Sequence, residues 1–134
     1  MRRLSRSAPA ALLAAAVACA TAAPGRDPPL PSGLDDAAAR ASLERFARDL
    51  EQGRFDDARR LLSARWRDRY SAGRLGMDFG GGPAARDQAS RVLAALAGGA
   101  ALERCDGRAR LPVGEGRAAV LVPEDGAWRV DALE

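Results

Sequence analysis

The sequence predicts an α+β fold: an N-terminal helix hairpin and a third helix packed on a small, curved antiparallel β-sheet. Two observations carry this. Apolar residues recur at helical spacing between residues 35 and 96, and from residue 108 onward they alternate instead. Glycine-bearing turn signals break the alternating part at short intervals, the pattern of consecutive hairpins. Helices first and strands after place the helices on one face of the sheet.

The first helix is expected over residues 35–52. Leu43, Phe46, Ala47 and Leu50 form one apolar stripe, Asp35 and Asp36 sit where the helix dipole favours anions, and Glu44 can pair with Arg48 one turn on. Gly53 ends it. A second helix is expected from Phe55, with Phe55, Ala58, Leu62 and Trp66 on one face and Asp56 and Asp57 in its first turn. Only Gly53 and Arg54 intervene, so the two helices form a hairpin. Residues 71–82 are expected to be irregular, because Gly73, Gly76 and the run Gly80-Gly81-Gly82 disfavour helix. Pro83 suits the first position of a third helix, whose Ala89, Val92, Leu93 and Leu96 share a face and which Gly98 and Gly99 end.

Strands are expected near 100–105, 108–113, 117–122 and 127–133, joined by short turns. Ala109, Leu111 and Val113 fall on one side of the second. In the last, Trp128, Val130 and Ala132 alternate against Arg129, Asp131 and Leu133.

The 134-residue chain carries 21 basic and 18 acidic residues, a formal charge of +3. Arg2, Arg3 and Arg6 own the whole excess: without them 18 basic face 18 acidic residues. The basic character therefore belongs to the first residues, and a nucleic-acid partner is not expected. Every basic residue is Arg, and there is no His, which removes the commonest general base and metal ligand. No metal and no cofactor are expected.

Residues 1–22 have the build of a signal peptide: a positive start, an apolar run over residues 8–18 broken by Pro9, then small residues. Residues 23–33, with Pro24, Pro28, Pro29 and Pro31, make an extended linker, and residues 34–134 make the domain. Two processing routes are open. One is cleavage after a pattern such as Ala20-Thr21-Ala22. In the other, Ala16-Val17-Ala18-Cys19 resembles a bacterial lipobox, with Ala16 where Leu is usual, and Cys19 becomes the lipidated N-terminal residue. That resemblance implies a membrane partner through the lipid anchor. Ala20, in place of the Asp that retains lipoproteins at the inner membrane, implies the outer membrane, facing the periplasm. The other route gives a periplasmic or secreted protein. Neither route forms a Cys19–Cys105 bridge, and Cys105 is expected to be a small, partly buried residue.

The stretch Phe46-Ala47-Arg48-Asp49-Leu50-Glu51-Gln52-Gly53-Arg54-Phe55-Asp56-Asp57-Ala58, then Leu61-Leu62-Ser63, resembles the opening helix pair of the nuclear-transport-factor-2-like superfamily. Glu124-Asp125-Gly126-Ala127-Trp128-Arg129-Val130-Asp131 resembles its last hairpin, where a Gly turn precedes a buried Trp. The resemblance implies a cone-shaped α+β domain. Members include isomerases, dehydratases and polyketide cyclases, and also catalytically inert exported domains, often lipoproteins. The His and paired pocket carboxylates of the enzymes have no counterparts here.

Few residues remain to carry chemistry. Tyr70 and Asp78 are the candidate acid–base pair, with Asp78 in the glycine-rich stretch. Trp66, Tyr70 and Arg74 are the candidate ligand-binding residues, in a run that also holds Arg59, Arg60, Arg65, Arg67 and Arg69. The plainer reading makes that run a solvated helix face, with Trp66 in the core and Asp56, Asp57 and Asp68 balancing the arginines. Trp128 reads as core. The expected function is a non-catalytic envelope protein that binds an envelope protein or a small ligand. The alternative is a small isomerase- or dehydratase-like enzyme with a hydrophobic cone pocket. A helical-repeat adaptor is disfavoured, since the helix pair occurs once and stacking needs about three.

Overall fold

A computed structural model describes residues 34–134. The expected leader over residues 1–22, with Cys19, and the linker over residues 23–33 lie outside the described residues.

Asp35 caps the first helix, α1 (Asp36–Glu51), its carboxylate accepting from the Ala38 N–H at 2.7 Å. The expected stripe of Leu43, Phe46, Ala47 and Leu50 is the buried face, and Ala39 joins it in the core. Burying a ring such as Phe46 contributes about 1.5–3 kcal/mol. The chain reverses at Gly53 into α2 (Phe55–Arg60), which completes the hairpin.

The second helix does not run on to Trp66. It stops at Arg60, and a separate short helix, α3 (Ala64–Arg69), follows. Between them the backbone joins the sheet instead: the Ser63 N–H donates to the Val130 carbonyl and the Val130 N–H donates to the Leu61 carbonyl, each at 2.8 Å. The end strand of the sheet has backbone groups to satisfy, and residues 61–63 satisfy them at Val130. Helical periodicity continues across this break, so the sequence gives no sign of it.

Residues 71–82 are also not irregular. Ser71 caps a helix, α4 (Ala72–Gly80), by accepting from the Arg74 N–H at 3.1 Å. Its glycines serve packing. A β-carbon at Gly76 would lie 3.3 Å from the Phe55 ring, and one at Gly80 would lie 3.2 Å from it. Without β-carbons α4 lies directly on that ring, and Leu75 enters the core. Pro83 then opens α5 (Pro83–Ala97), which packs along α1 through Ala89 and Val92.

Four antiparallel strands follow in the order β1 (Glu103–Cys105), β2 (Arg108–Gly114), β3 (Arg117–Glu124) and β4 (Ala127–Leu133). Each connection is a two-residue turn of an acidic residue and Gly: Asp106-Gly107, Glu115-Gly116 and Asp125-Gly126, all at positive φ. This is the type I′ geometry that matches strand twist. β3 runs on through Pro123, which lies beyond the last β2 partner at Leu121, so its missing N–H breaks no ladder bond to β2.

The helices cover one face, so the fold is α+β as expected. Ala109, Leu111, Ala119, Leu121, Trp128 and Val130 form the sheet side of the core. Trp128 is buried, its Nε1 donating to the Asp35 carbonyl at 3.2 Å while the Arg104 guanidinium lies 4.5 Å from its ring centre. The alternation expected for β4 is corrected at its end. Val120 pairs with Ala132 and Leu121 with Val130, so Asp131 is an extra residue, a β-bulge. The phase slips by one: Leu133, opposite Ala119, packs against the core in place of Ala132.

Candidate functional site: an apolar cleft beside the last strand

The bulge and the broken helix together leave a space. A cleft of about 340 Å3 opens between α4, residues 62–70 and the end of β4. That is within the ordinary range for small-molecule sites, roughly 300–1,000 Å3. Phe46 and Val130 form its base, Leu75 and Phe79 of α4 one wall, and Leu62, Trp66 and Tyr70 the other. Ala132, Leu133, Glu134 and Arg65 complete its rim.

The wall at residues 62–70 is short, so side chains hold it in place. Arg59 donates to the carbonyls of Tyr70 (2.6 Å) and Arg67 (2.7 Å), tying α2 to the C-terminal end of α3. Arg67 donates to the Leu62 carbonyl at 2.8 Å and Arg129 to the Arg60 carbonyl at 2.8 Å. Arg59 and Arg67 of the basic run are thus engaged with backbone oxygens. Asp56 and Asp68 form no ion pair among the described residues, and Asp57 balances Arg60 at 3.2 Å. The expected balancing by three aspartates is therefore corrected: only Asp57 takes that role.

The Arg65 guanidinium is held along one edge. Its Nε donates to Asp131 Oδ1 and its Nη2 to Asp131 Oδ2, each at 2.7 Å, a two-point contact of fixed geometry. Asp131 is buried, and the equally buried Ser63 donates to it at 2.7 Å. Burial by itself would push the Asp131 carboxyl up. The hydrogen bonds from Arg65 and Ser63, with the attraction of Arg65 and Arg108, outweigh it and hold the carboxyl below the usual range. Trp66 lies between guanidinium groups: Arg65 is 5.3 Å and Arg69 5.8 Å from its ring centre, with the Tyr70 ring 5.4 Å away and tilted. Trp66 is half-buried in the cleft wall, not in the deep core.

Of the residues singled out from sequence, the structure brings Trp66 and Tyr70 together in the cleft. Asp78 and Arg74 are not among its lining residues. They pair with each other at 3.1 Å, one turn apart on α4. Sequence reasoning missed Leu75 and Phe79, whose spacing was readable had the glycines not been taken as helix breakers. It also missed Leu133, which the bulge turns inward; no sequence signal marks that bulge.

A second, more polar groove of about 500 Å3 runs along the open face of the sheet past Cys105, Arg108, Arg110 and Val120. It shares Arg65, Ala132 and Glu134 with the cleft, so the two meet at that rim. Cys105 is half-buried there. Among the described residues no three His, Cys, Asp or Glu side chains cluster as metal ligands, and no helix is long and apolar enough to cross a membrane.

No family model, no curated protein and no solved structure matches the chain. The structure establishes an α+β domain in which N-terminal helices pack against a four-stranded antiparallel sheet.

Proposed function

We propose that residues 34–134 are a non-catalytic binding module of the cell envelope that takes a small, largely apolar molecule into the cleft. The observation that carries this reading is the cleft of about 340 Å3, walled by Trp66, Tyr70, Leu75 and Phe79. Three aromatic rings in the walls, the Phe46 ring at the base and aliphatic side chains supply the apolar surface such ligands bury. In the same reading the leader sends the protein out of the cytoplasm, and lipidation at Cys19 with the Pro-rich linker tethers it to a membrane. The order of elements, with a cleft between helices and sheet, also suits a nuclear-transport-factor-2-like domain.

The isomerase- or dehydratase-like alternative requires an acid–base pair inside the cleft. Tyr70 lines it, but Asp78 is engaged by Arg74 outside the lining set. The binding reading is therefore preferred.

A fluorescent apolar dye titrated into the domain tests the proposal. Emission should rise with a saturable, one-site profile, and Ala132→Trp, which narrows the rim, should abolish the rise without lowering the unfolding temperature by more than a few degrees. A dye response that Ala132→Trp leaves unchanged contradicts it.

A further inference from the structure

The two walls of the cleft are held in different ways. The wall at residues 62–70 is pinned by polar contacts from other elements: Arg59 holds the Tyr70 and Arg67 carbonyls, and Asp131 holds Ser63 and Arg65. The facing wall, α4, has no such tie. Among the described residues, every hydrogen bond and ion pair of α4 lies within the helix and its cap. The Ser71 hydroxyl accepts from the Arg74 N–H, and Arg74 pairs with Asp78 one turn on. These contacts stiffen the helix as a unit and leave it unattached.

Apolar contacts alone seat α4. Leu75, 2% exposed, is its single buried residue. Toward α2 the helix offers Gly76 and Gly80 to the flat Phe55 ring, a surface with no β-carbons to interlock. On its outer side Met77 is 69% exposed, so no other element backs the helix there. Its link to α5 is Gly81-Gly82. Gly82 is extended, a conformation alanine also adopts, and a β-carbon there would meet nothing within 4 Å. Hinges are a few residues at element ends that absorb backbone rotation, often small ones. Phe79, one turn beyond Leu75, lines the cleft close to that link.

We infer that α4 is a hinged wall of the cleft. With Leu75 as pivot and Gly81-Gly82 as hinge, the helix rocks on the Phe55 ring. It carries Phe79 away from Trp66 and Tyr70 to admit an apolar ligand, then back against the ligand. The wall at residues 62–70 stays in place. This rests on the binding reading above and adds how that site opens.

The open form lies on the path to the complex and at neither end of it. Narrowing the hinge's freedom therefore slows entry and exit alike and leaves Kd unchanged. Stopped-flow binding of the apolar dye to the wild-type protein and to Gly82→Ala is the test. Association and dissociation should both slow by about two- to fivefold, the effect of removing a glycine's extra backbone freedom from the open population. Unchanged rates overturn the hinge and leave the site, as does a weaker Kd with an unchanged association rate, which would mark a disturbed cleft. Relaxation dispersion on the wild-type amides supplies a second measurement. Residues 75–82 should show μs–ms exchange that saturating dye removes, and residues 62–70 should not. A quiet α4, or equal exchange in both walls, overturns the hinged wall while dye binding stands. No dye binding at all removes the binding reading and the hinged wall with it.

Discussion

The Ser63 hydroxyl donates to the Asp131 carboxylate at 2.7 Å, linking the break between two short helices to a bulge in the last strand. Both residues are buried, at 1% and 4% exposure, so the bond is shielded from water. The bulge turns Asp131 toward Ser63 and Arg65, and the pair fixes where α3 begins. The wall of the cleft is thus set by a contact between residues 68 apart in the chain.

Removing that contact should loosen the wall. Asp131→Ala leaves the Ser63 hydroxyl buried without an acceptor, which costs about 1–3 kcal/mol. The Arg65 side chain is 58% exposed and should find water, so its share is small. Urea unfolding should show a loss of about 2 kcal/mol. The Asp131 carboxyl is held below its ordinary value, so the unfolded chain binds the proton first and stability rises with pH. The contribution should be complete above about pH 4 and decline as pH falls through the folded-state value. Midpoints measured between pH 5 and pH 2 should fall less steeply in Asp131→Asn than in the wild type.

Phe55 and Gly76 make a second testable pair. A β-carbon at Gly76 would sit 3.3 Å from the ring, so a larger side chain must displace it. Gly76→Leu should destabilise by about 1–3 kcal/mol through overpacking. In a Phe55→Ala background much of that loss should vanish, giving a coupling of about 0.5–3 kcal/mol in a double-mutant cycle. Additive effects would mean the glycines do not serve the ring.

The helices α1 and α5 and the meander were legible because local signals agree there. Leu43, Phe46 and Leu50 fall on one stripe, and each hairpin turn carries its own Gly. Two local features were not legible. Leu62 and Ser63 fit a helical repeat, and only the strand beside them makes that stretch leave the helix. Gly76 and Gly80 read as breakers in isolation, while against the Phe55 ring they are what lets α4 pack. The cleft was half legible for the same reason. Trp66 and Tyr70 stood out as aromatics in a basic run, whereas Leu75, Phe79 and Leu133 join them only through α4 and the bulge.

The address of the protein is testable apart from its fold. Cells fed radiolabelled palmitate should label the wild-type protein, and Cys19→Ala should abolish the label. Labelling that survives Cys19→Ala would contradict lipidation at that residue. An unlabelled wild type would leave the other route, cleavage after a pattern such as Ala20-Thr21-Ala22.

The central claim is that the space beside β4 is a binding site, and amide chemical shifts measured during titration with the apolar dye test it most directly. Saturable shifts clustered at Leu62, Trp66, Leu75, Phe79 and Leu133, with Ala89 and Val92 on the far helix unmoved, are the expected result. Shifts confined to the outer face around Arg108 and Arg110, or none at millimolar ligand, would contradict it.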